Sequence, residues 1–316
     1  MKIFKLLYFL FSKVFILALF VMVSLIFYFS MSIETTKTVV LPKGSITKVV
    51  SNLKEQGYAL TFLDTYLLAY VLDAPKSGTL LIGEGQMSRI SFLKKLSSSK
   101  EAINVVTLIP GETRPLFLED LAKRYHLDFN SLNKAYEKFS SYKEAGIMPE
   151  TYHLPKNISE EMLIENLVKQ SEKKYQALSE KYLKKYDKKE WNKILIIASV
   201  IQKEAANNQE MPIVASVIYN RLKKEMALQM DGTLNYGKYS HVKVTPKRIK
   251  ADTSGFNTYL NKGLPPYPVC SVSLSAIKSA LNPKKTDYLY FMRNKSGVHD
   301  FTNSYSEHLK NIQKAK

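Results

Sequence analysis

The chain has 316 residues, of which 45% are hydrophobic and 23% charged, a composition that supports packed domains and excludes wholesale disorder. Lysine and arginine exceed aspartate and glutamate by 18 charges, which points toward polyanions: nucleic acid, an anionic membrane surface or an acidic cell-wall polymer. Only six of the basic residues are arginine, so the excess also fits scattered surface lysine, while the single Cys270 excludes an intramolecular disulfide and any multi-cysteine zinc site.

Residues 1–13 carry Lys2, Lys5 and Lys13, and residues 14–31 follow without a charge, broken only by Ser24 and Ser30. Eighteen such residues suffice to cross a hydrocarbon core as a helix rising about 1.5 Å per residue. Lysines before the run and Glu34 as the first charge after it put the N-terminus in the cytoplasm and the remainder outside. A cleaved signal peptide is the competing reading, but Phe27, Tyr28, Phe29 and Met31 do not suit a small-residue cleavage site, so an uncleaved single-pass anchor is expected. That location removes nucleic acid as a partner and leaves the envelope: the cytoplasmic membrane, peptidoglycan and other envelope proteins.

Residues 38–104 read as a small α/β domain. Residues 39–41 suggest a strand, Pro42, Lys43 and Gly44 a turn, and Ser45 the N-cap of a helix that turns Ile46, Val49, Val50 and Leu53 inward and stops at Gly57. A second strand at 80–82 and a second helix over 88–96 repeat the pattern. Residues 105–157 form a connecting α/β segment, with a strand at 105–109, a Pro110-Gly111 turn and helices over 115–125 and on to about 142. Residues 158–190 are rich in Lys, Glu and Tyr and read as one solvated helical stretch, with Leu163, Leu167 and Val168 on its apolar face.

The chemistry-bearing part is residues 191–316. Ile194, Ile197, Ala198 and Ile201 share a helical stripe, and Glu204 falls on that same stripe where a leucine would be expected. A carboxyl facing an apolar wall loses hydration in its charged form and stays protonated near neutrality, as a general acid must. The structural alternative is that Glu204 ends a buried helix and pairs with Arg221. After Asn207 and Asn208 a second helix from Pro212 presents Asn220 and Arg221 near its end. Residues 228–237 then combine Gln229, Asp231, Thr233 and Tyr236, neutral donors, an acceptor and a stacking face suited to a sugar ring. Asn257 and Tyr259 lie in a loop made rigid by Pro265 and Pro266. The five histidines show no metal-ligand spacing and no nucleophilic Ser or Cys motif occurs, so neither a metal nor a cofactor is expected.

The ordered strings IASVIQKEA (197–205), VASVIYNRL (214–222), LQMDGTLNYG (228–237), FNTYLNKGLPPYPV (256–269), LNPKKTDYLYF (281–291) and GVHDF (297–301) resemble the endolytic murein transglycosylases, the YceG-like proteins. GIMPETY (146–152) is similar to that family's segment before the catalytic helix, with Glu150 where Asp is usual, which adds Glu150 and Thr151 to the candidate substrate contacts. The resemblance implies an α+β fold with an N-terminal transmembrane helix, a LysM-like domain over 38–104 and a mixed α+β catalytic domain over 191–316. It also implies Glu204 as the essential acid, cutting between N-acetylmuramic acid and N-acetylglucosamine and leaving 1,6-anhydro ends. Gln202 stands where the family commonly has a further Glu, Tyr267 replaces a Gly after the double proline, and Ser271 replaces a common Asn. Glycan strands are the expected substrate, and peptidoglycan synthases are further expected partners by analogy. Two alternatives stay open: a hydrolytic muramidase using Asp231 or Glu150 as a second carboxylate, and a non-catalytic peptidoglycan-binding adaptor.

Overall fold

The computed structural model describes residues 2–156 and 158–315; the side chains of Lys2 and Lys5, two of the lysines that set the expected topology, lie outside the described ones. The chain divides into two compact units, Met1–Asn104 with His153–Ile158, and Val105–Tyr152 with Ser159–Lys316.

In the first unit, helix α1 (Lys2–Ser30) contains a predominantly apolar span, Tyr8–Ser30, whose one charged residue is Lys13 and none of which is buried by protein. Strands β1 (Ser32–Thr35) and β2 (Thr38–Leu41) follow, then helices α2 (Ile46–Glu55) and α3 (Phe62–Tyr70), strands β3 (Gly78–Leu81) and β4 (Gly85–Ser88), and helix α4 (Arg89–Ser98). β2 pairs antiparallel with β3, Val39 opposite Leu80, so that alternate residues Val39 and Leu41 face the core. Ser45 caps α2 by accepting from the Lys48 N–H, and Val49, Val50 and Leu53 are buried as the spacing requires. The pairing of β1 with β4, and α3 itself, were not anticipated. β4 reads Gly-Gln-Met-Ser and offers no alternation, while α3 is apolar on nearly every face and so lacks a helical period. Phe92, stacked on Tyr58 with 4.8 Å between ring centres, fills the middle of this core with Leu53, Leu68 and Leu93.

β5 (Ile103–Thr107) and β6 (Thr151–Pro155) contain the points where the chain passes from one unit to the other; β5 begins two residues before the expected strand. The second unit is mainly helical: α5 (Arg114–Tyr125), α6 (Phe129–Phe139), α7 (Glu160–Leu183), α8 (Lys188–Glu204), α9 (Met211–Lys223), α10 (Pro246–Ala251), α11 (Leu274–Leu281) and α12 (Tyr305–Ala315), with one hairpin of β7 (Tyr290–Arg293) and β8 (His299–Thr302). The single charged helix expected over 158–190 is corrected to two. Lys184 adopts a left-handed conformation (φ 61°), the Ser179 hydroxyl donates to the Lys185 carbonyl, and Asp187 caps a new helix through the Glu190 N–H. Local capping overrides the helix propensity of the Lys/Glu run.

α8 is the axis of this unit. Its residues 195–201 are all buried, packed between α9 and α11, and Trp191 at its start is fully buried against Tyr175. Each such leucine or isoleucine stabilises by roughly 2 kcal/mol on leaving water. The last turn of α8 is therefore held by a rigid element, and that turn carries Glu204.

Candidate active site

α8 ends on Glu204, with Ala205 as its C-cap, so the carboxyl projects where the helix dipole is negative and an anion is disfavoured. The carboxyl is enclosed but keeps partial access to solvent. Desolvation pushes its pKa up to about 7, Asp231 adds to the rise, and a hydrogen bond from the Gly232 N–H opposes it. That bond is short, 2.6 Å from the Gly232 nitrogen to Oε1, and because Oε1 accepts it the proton of the neutral acid resides on Oε2. Among the described residues no basic side chain forms an ion pair with Glu204. The Arg221 alternative is excluded by where that guanidinium goes: Nε donates to the Leu289 carbonyl at 2.6 Å, and Nη1 to those of Ala227 and Leu228.

A glycine is required opposite the acid. A Cβ at Gly232 would lie 2.5 Å from the Lys203 Cβ and 2.8 Å from the Glu204 Oε1. The short 3₁₀ turn of residues 231–234 can come this close because position 232 has no side chain. The turn is tied to the 256–261 loop: the Gln229 N–H donates to the Thr258 carbonyl and the Met230 N–H to the Thr258 hydroxyl.

Asp231 is exposed and accepts from the Tyr259 hydroxyl at 2.8 Å. Burial and the Asp231 and Glu204 carboxylates push the Tyr259 pKa up and keep its hydroxyl a donor. Glu204, Asp231 and Tyr259 are thus grouped, and Gln229, exposed and left-handed at φ 49°, borders them. Tyr236 is stacked on Phe256, ring centres 5.2 Å apart, with Tyr267 edge-on to both. This trio stands between a recess of about 670 Å³ walled by Leu234, Tyr236, Tyr239, Arg248 and Phe256 and a smaller one of about 290 Å³ walled by Arg114, Tyr142, Tyr236 and Tyr267. Glu204 walls neither recess; the desolvated carboxyl, rather than cavity size, marks the centre.

Several expected substrate contacts make hydrogen bonds or ion pairs within the protein. Thr233 is fully buried and its hydroxyl donates to the Met230 carbonyl. Asn257 is fully buried, its amide nitrogen donating to the Ile249 and Asp252 carbonyls and its oxygen accepting from the Tyr259 N–H, so it staples the loop that carries Tyr259. Asn220 donates to the Thr286 and Tyr288 carbonyls and lines a different recess, with Ser216 and Tyr219. Glu150 is paired with Lys174, and the Thr151 hydroxyl meets that of Thr107 at 3.1 Å, so neither joins the Glu204 group. In each case the polar side chain satisfies a loop's own backbone or a neighbouring side chain.

Two residues were missed. Gly232 is one, although its closeness to α8 leaves no local trace in the sequence. Glu144 is the other: burial pushes its pKa up to about 7, but it is only 2% exposed, and both oxygens take main-chain N–H groups, from Ala145 and Arg114. In the sequence it reads as the second half of a solvated Lys-Glu pair. Its lack of access separates it from Glu204, which has a similar pKa and a free oxygen.

The raised pKa of Glu204 carries a stability consequence. A carboxyl held above its unfolded value contributes stability that is complete below about 4.5 and is lost as pH rises through about 7. Glu204→Gln is therefore expected to be more stable than the unaltered chain at pH 8, by about 1–2 kcal/mol after allowance for partial exposure, and the advantage is expected to vanish near pH 4. Thermal unfolding at the two pH values measures this; a destabilised variant at pH 8 would contradict it.

A family model described as YceG-like matches residues 39–314. An endolytic murein transglycosylase of Bacillus subtilis (strain 168) is 38% identical over 173 residues, covering 54% of this chain and 47% of that protein. One from Streptococcus pneumoniae serotype 2 is 29% identical over 232 residues, 70% of this chain and 38% of that protein. The chain therefore spans less than half the length of these curated relatives. The 2.6 Å crystal structure of a protein described as yceG-like, from Listeria monocytogenes, aligns with a TM-score of 0.57 and 28% identity over 89% of this chain and 99% of that chain.

Proposed function

The chain belongs to the YceG-like family, and from that premise we propose that it is a membrane-anchored lytic transglycosylase that cuts the β-1,4 bond between N-acetylmuramic acid and N-acetylglucosamine within peptidoglycan strands. The observation that carries this reading is Glu204, a carboxyl with partial access to solvent whose pKa of about 7 leaves about half of it protonated at neutrality, at the end of an apolar helix. Its Oε2 proton passes to the glycosidic oxygen as the bond to the muramyl C1 breaks through an oxocarbenium-like state. The resulting carboxylate, still held by the Gly232 N–H, takes the proton of the muramyl C6 hydroxyl, whose oxygen bonds to C1 and closes a 1,6-anhydro ring. One carboxyl performs both transfers, and water is not consumed.

The acid limb follows from the same pKa. Cleavage is expected to fall as pH rises through about 7, by about tenfold per unit beyond it, because the proton donor is lost. A kcat/KM profile that is flat from pH 6 to 9 would contradict the assignment.

A hydrolytic muramidase is the second reading, favoured by one observation: Asp231 is exposed, near Glu204 and oriented by Tyr259. The two reactions give ends that differ in mass by one water. The anchor proposal is supported by the 23-residue span Tyr8–Ser30 of α1, charge-free beyond Lys13, with the N-terminus in the cytoplasm and the rest on the periplasmic or outer face. On this reading residues 38–104 serve as a LysM-like glycan-binding domain, and the enzyme terminates nascent strands beside peptidoglycan synthases.

A further inference from the structure

Helix α3 is an anomaly for a domain in water. Phe62, Tyr66 and Tyr70 lie on successive turns of one face and are 78%, 61% and 77% exposed, with the Tyr66 and Tyr70 rings 4.9 Å apart. Ala69 lies within the same face, and Val71, just past the end of the helix, is 63% exposed. From Phe62 to Leu72 the one charged residue is Asp64, which is fully buried. The opposite face of α3 already packs on the unit's core through Leu68. The exposed face thus has neither core nor charge to explain it.

Its position says what covers it. The Tyr28 hydroxyl, in the last turns of α1, is 2.5 Å from the hydroxyl of Thr61, the N-cap of α3, and donates to Asp64 Oδ2 at 2.6 Å. Arg89 locks the junction: its Nη1 lies 2.9 Å from Asp64 Oδ2 and 3.0 Å from the Tyr28 hydroxyl, and its guanidinium sits over the Tyr28 ring. The Arg89 N–H also donates to the Met31 carbonyl just beyond α1. Tyr28 is two residues, about 3 Å of helix rise, from the end of the apolar stretch. The start of α3 is therefore at the depth where α1 leaves the hydrocarbon.

We propose that the Phe62, Tyr66 and Tyr70 face of α3 rests in the lipid headgroup layer beside α1, a second membrane contact held at fixed depth by the Tyr28–Asp64–Arg89 junction. Aromatic side chains with an apolar body and a polar tip are suited to this layer, and an uncharged surface suffers no desolvation penalty there. The proposal rests on the reading of α1 as a membrane span and is independent of the chemistry at Glu204.

The test uses the full chain in phosphatidylcholine–phosphatidylglycerol vesicles with nitroxide labels on Phe20→Cys in α1, Ala69→Cys in α3 and Lys94→Cys on the exposed side of α4; the native Cys270 is fully buried and serves as the unlabelled blank. Ala69→Cys leaves the aromatic stripe intact. The Ala69 label is expected to fall between the two controls, less accessible to a water-soluble nickel chelate than the Lys94 label and more accessible to oxygen than it, while the Phe20 label is fully shielded from the chelate. Replacing Phe62, Tyr66 and Tyr70 by serine is expected to return the Ala69 label to the Lys94 pattern without changing Phe20. An aqueous Ala69 label with an embedded Phe20 label would overturn the α3 contact and leave the anchor standing. Shielding of Ala69 from both reagents would overturn it in favour of a protein partner or a second copy, and an aqueous Phe20 label would remove the anchor and the proposal together.

Discussion

Glu204→Gln is expected to lower glycan-strand cleavage about 10²–10⁴-fold, the range over which a positioned general acid contributes, while strand binding stays unchanged. The substitution is nearly isosteric. The amide oxygen can still accept from the Gly232 N–H, now 2.6 Å from the native Oε1, so the 231–234 turn keeps its place. What the amide cannot do is release a proton to the leaving oxygen and recover one from the C6 hydroxyl. Sedimentation with insoluble peptidoglycan measures binding, and release of soluble fragments measures cleavage. A variant that retains cleavage would end the assignment of Glu204, and one that loses binding as well would make Glu204 a structural or contact residue.

Gly232→Ala is expected to lower cleavage about 10²-fold, the cost of moving a reacting group by roughly an ångström. The added Cβ meets backbone-proximal atoms of α8, the Lys203 Cβ at 2.5 Å, and cannot be relieved by rotating a side-chain tip. Either the turn retreats and the hydrogen bond to Glu204 is lost, or the carboxyl is pushed aside; overpacking of this kind costs about 1–3 kcal/mol in stability. The acid limb discriminates between them. Loss of the N–H, which holds the pKa down, is expected to shift the limb to higher pH, whereas unchanged cleavage would mean that the turn does not position the acid.

Glu204 was legible because its signal is local: a carboxyl at a leucine position of one helical stripe needs no tertiary knowledge. The apolar N-terminal helix, Ser45 as a cap and the entry of α9 at Pro212 were legible for the same reason, being patterns within a few turns of the chain. Polar residues in the loops were not. Thr233 and Asn257 look like ligand donors until the 228–234 turn and the 256–261 loop are seen to face one another, when Thr233 fastens that contact through Thr258 and Asn257 braces its own loop against residues 249–252. Glu144 shows the converse, a surface-like Lys-Glu pair whose acid is buried because the Arg114 and Ala145 N–H groups need an acceptor. Gln202, which stands at a familiar acidic position, accepts from the Ser273 N–H at the start of α11, a bond a neutral amide makes without a charge to bury. α3 escaped because the absence of polar residues on its outer face removed the period by which a surface helix is recognised.

On the proposed mechanism one carboxyl both breaks the glycosidic bond and closes the anhydro ring. The most direct measurement is the mass of the ends released from uncrosslinked glycan strands by the purified chain and by Glu204→Gln. The expected result is 1,6-anhydro-muramyl ends from the unaltered protein and none from the variant. Ends heavier by one water would contradict it and move the chemistry to a Glu204–Asp231 hydrolase, and intact strands bound equally by both proteins would make the chain an adaptor.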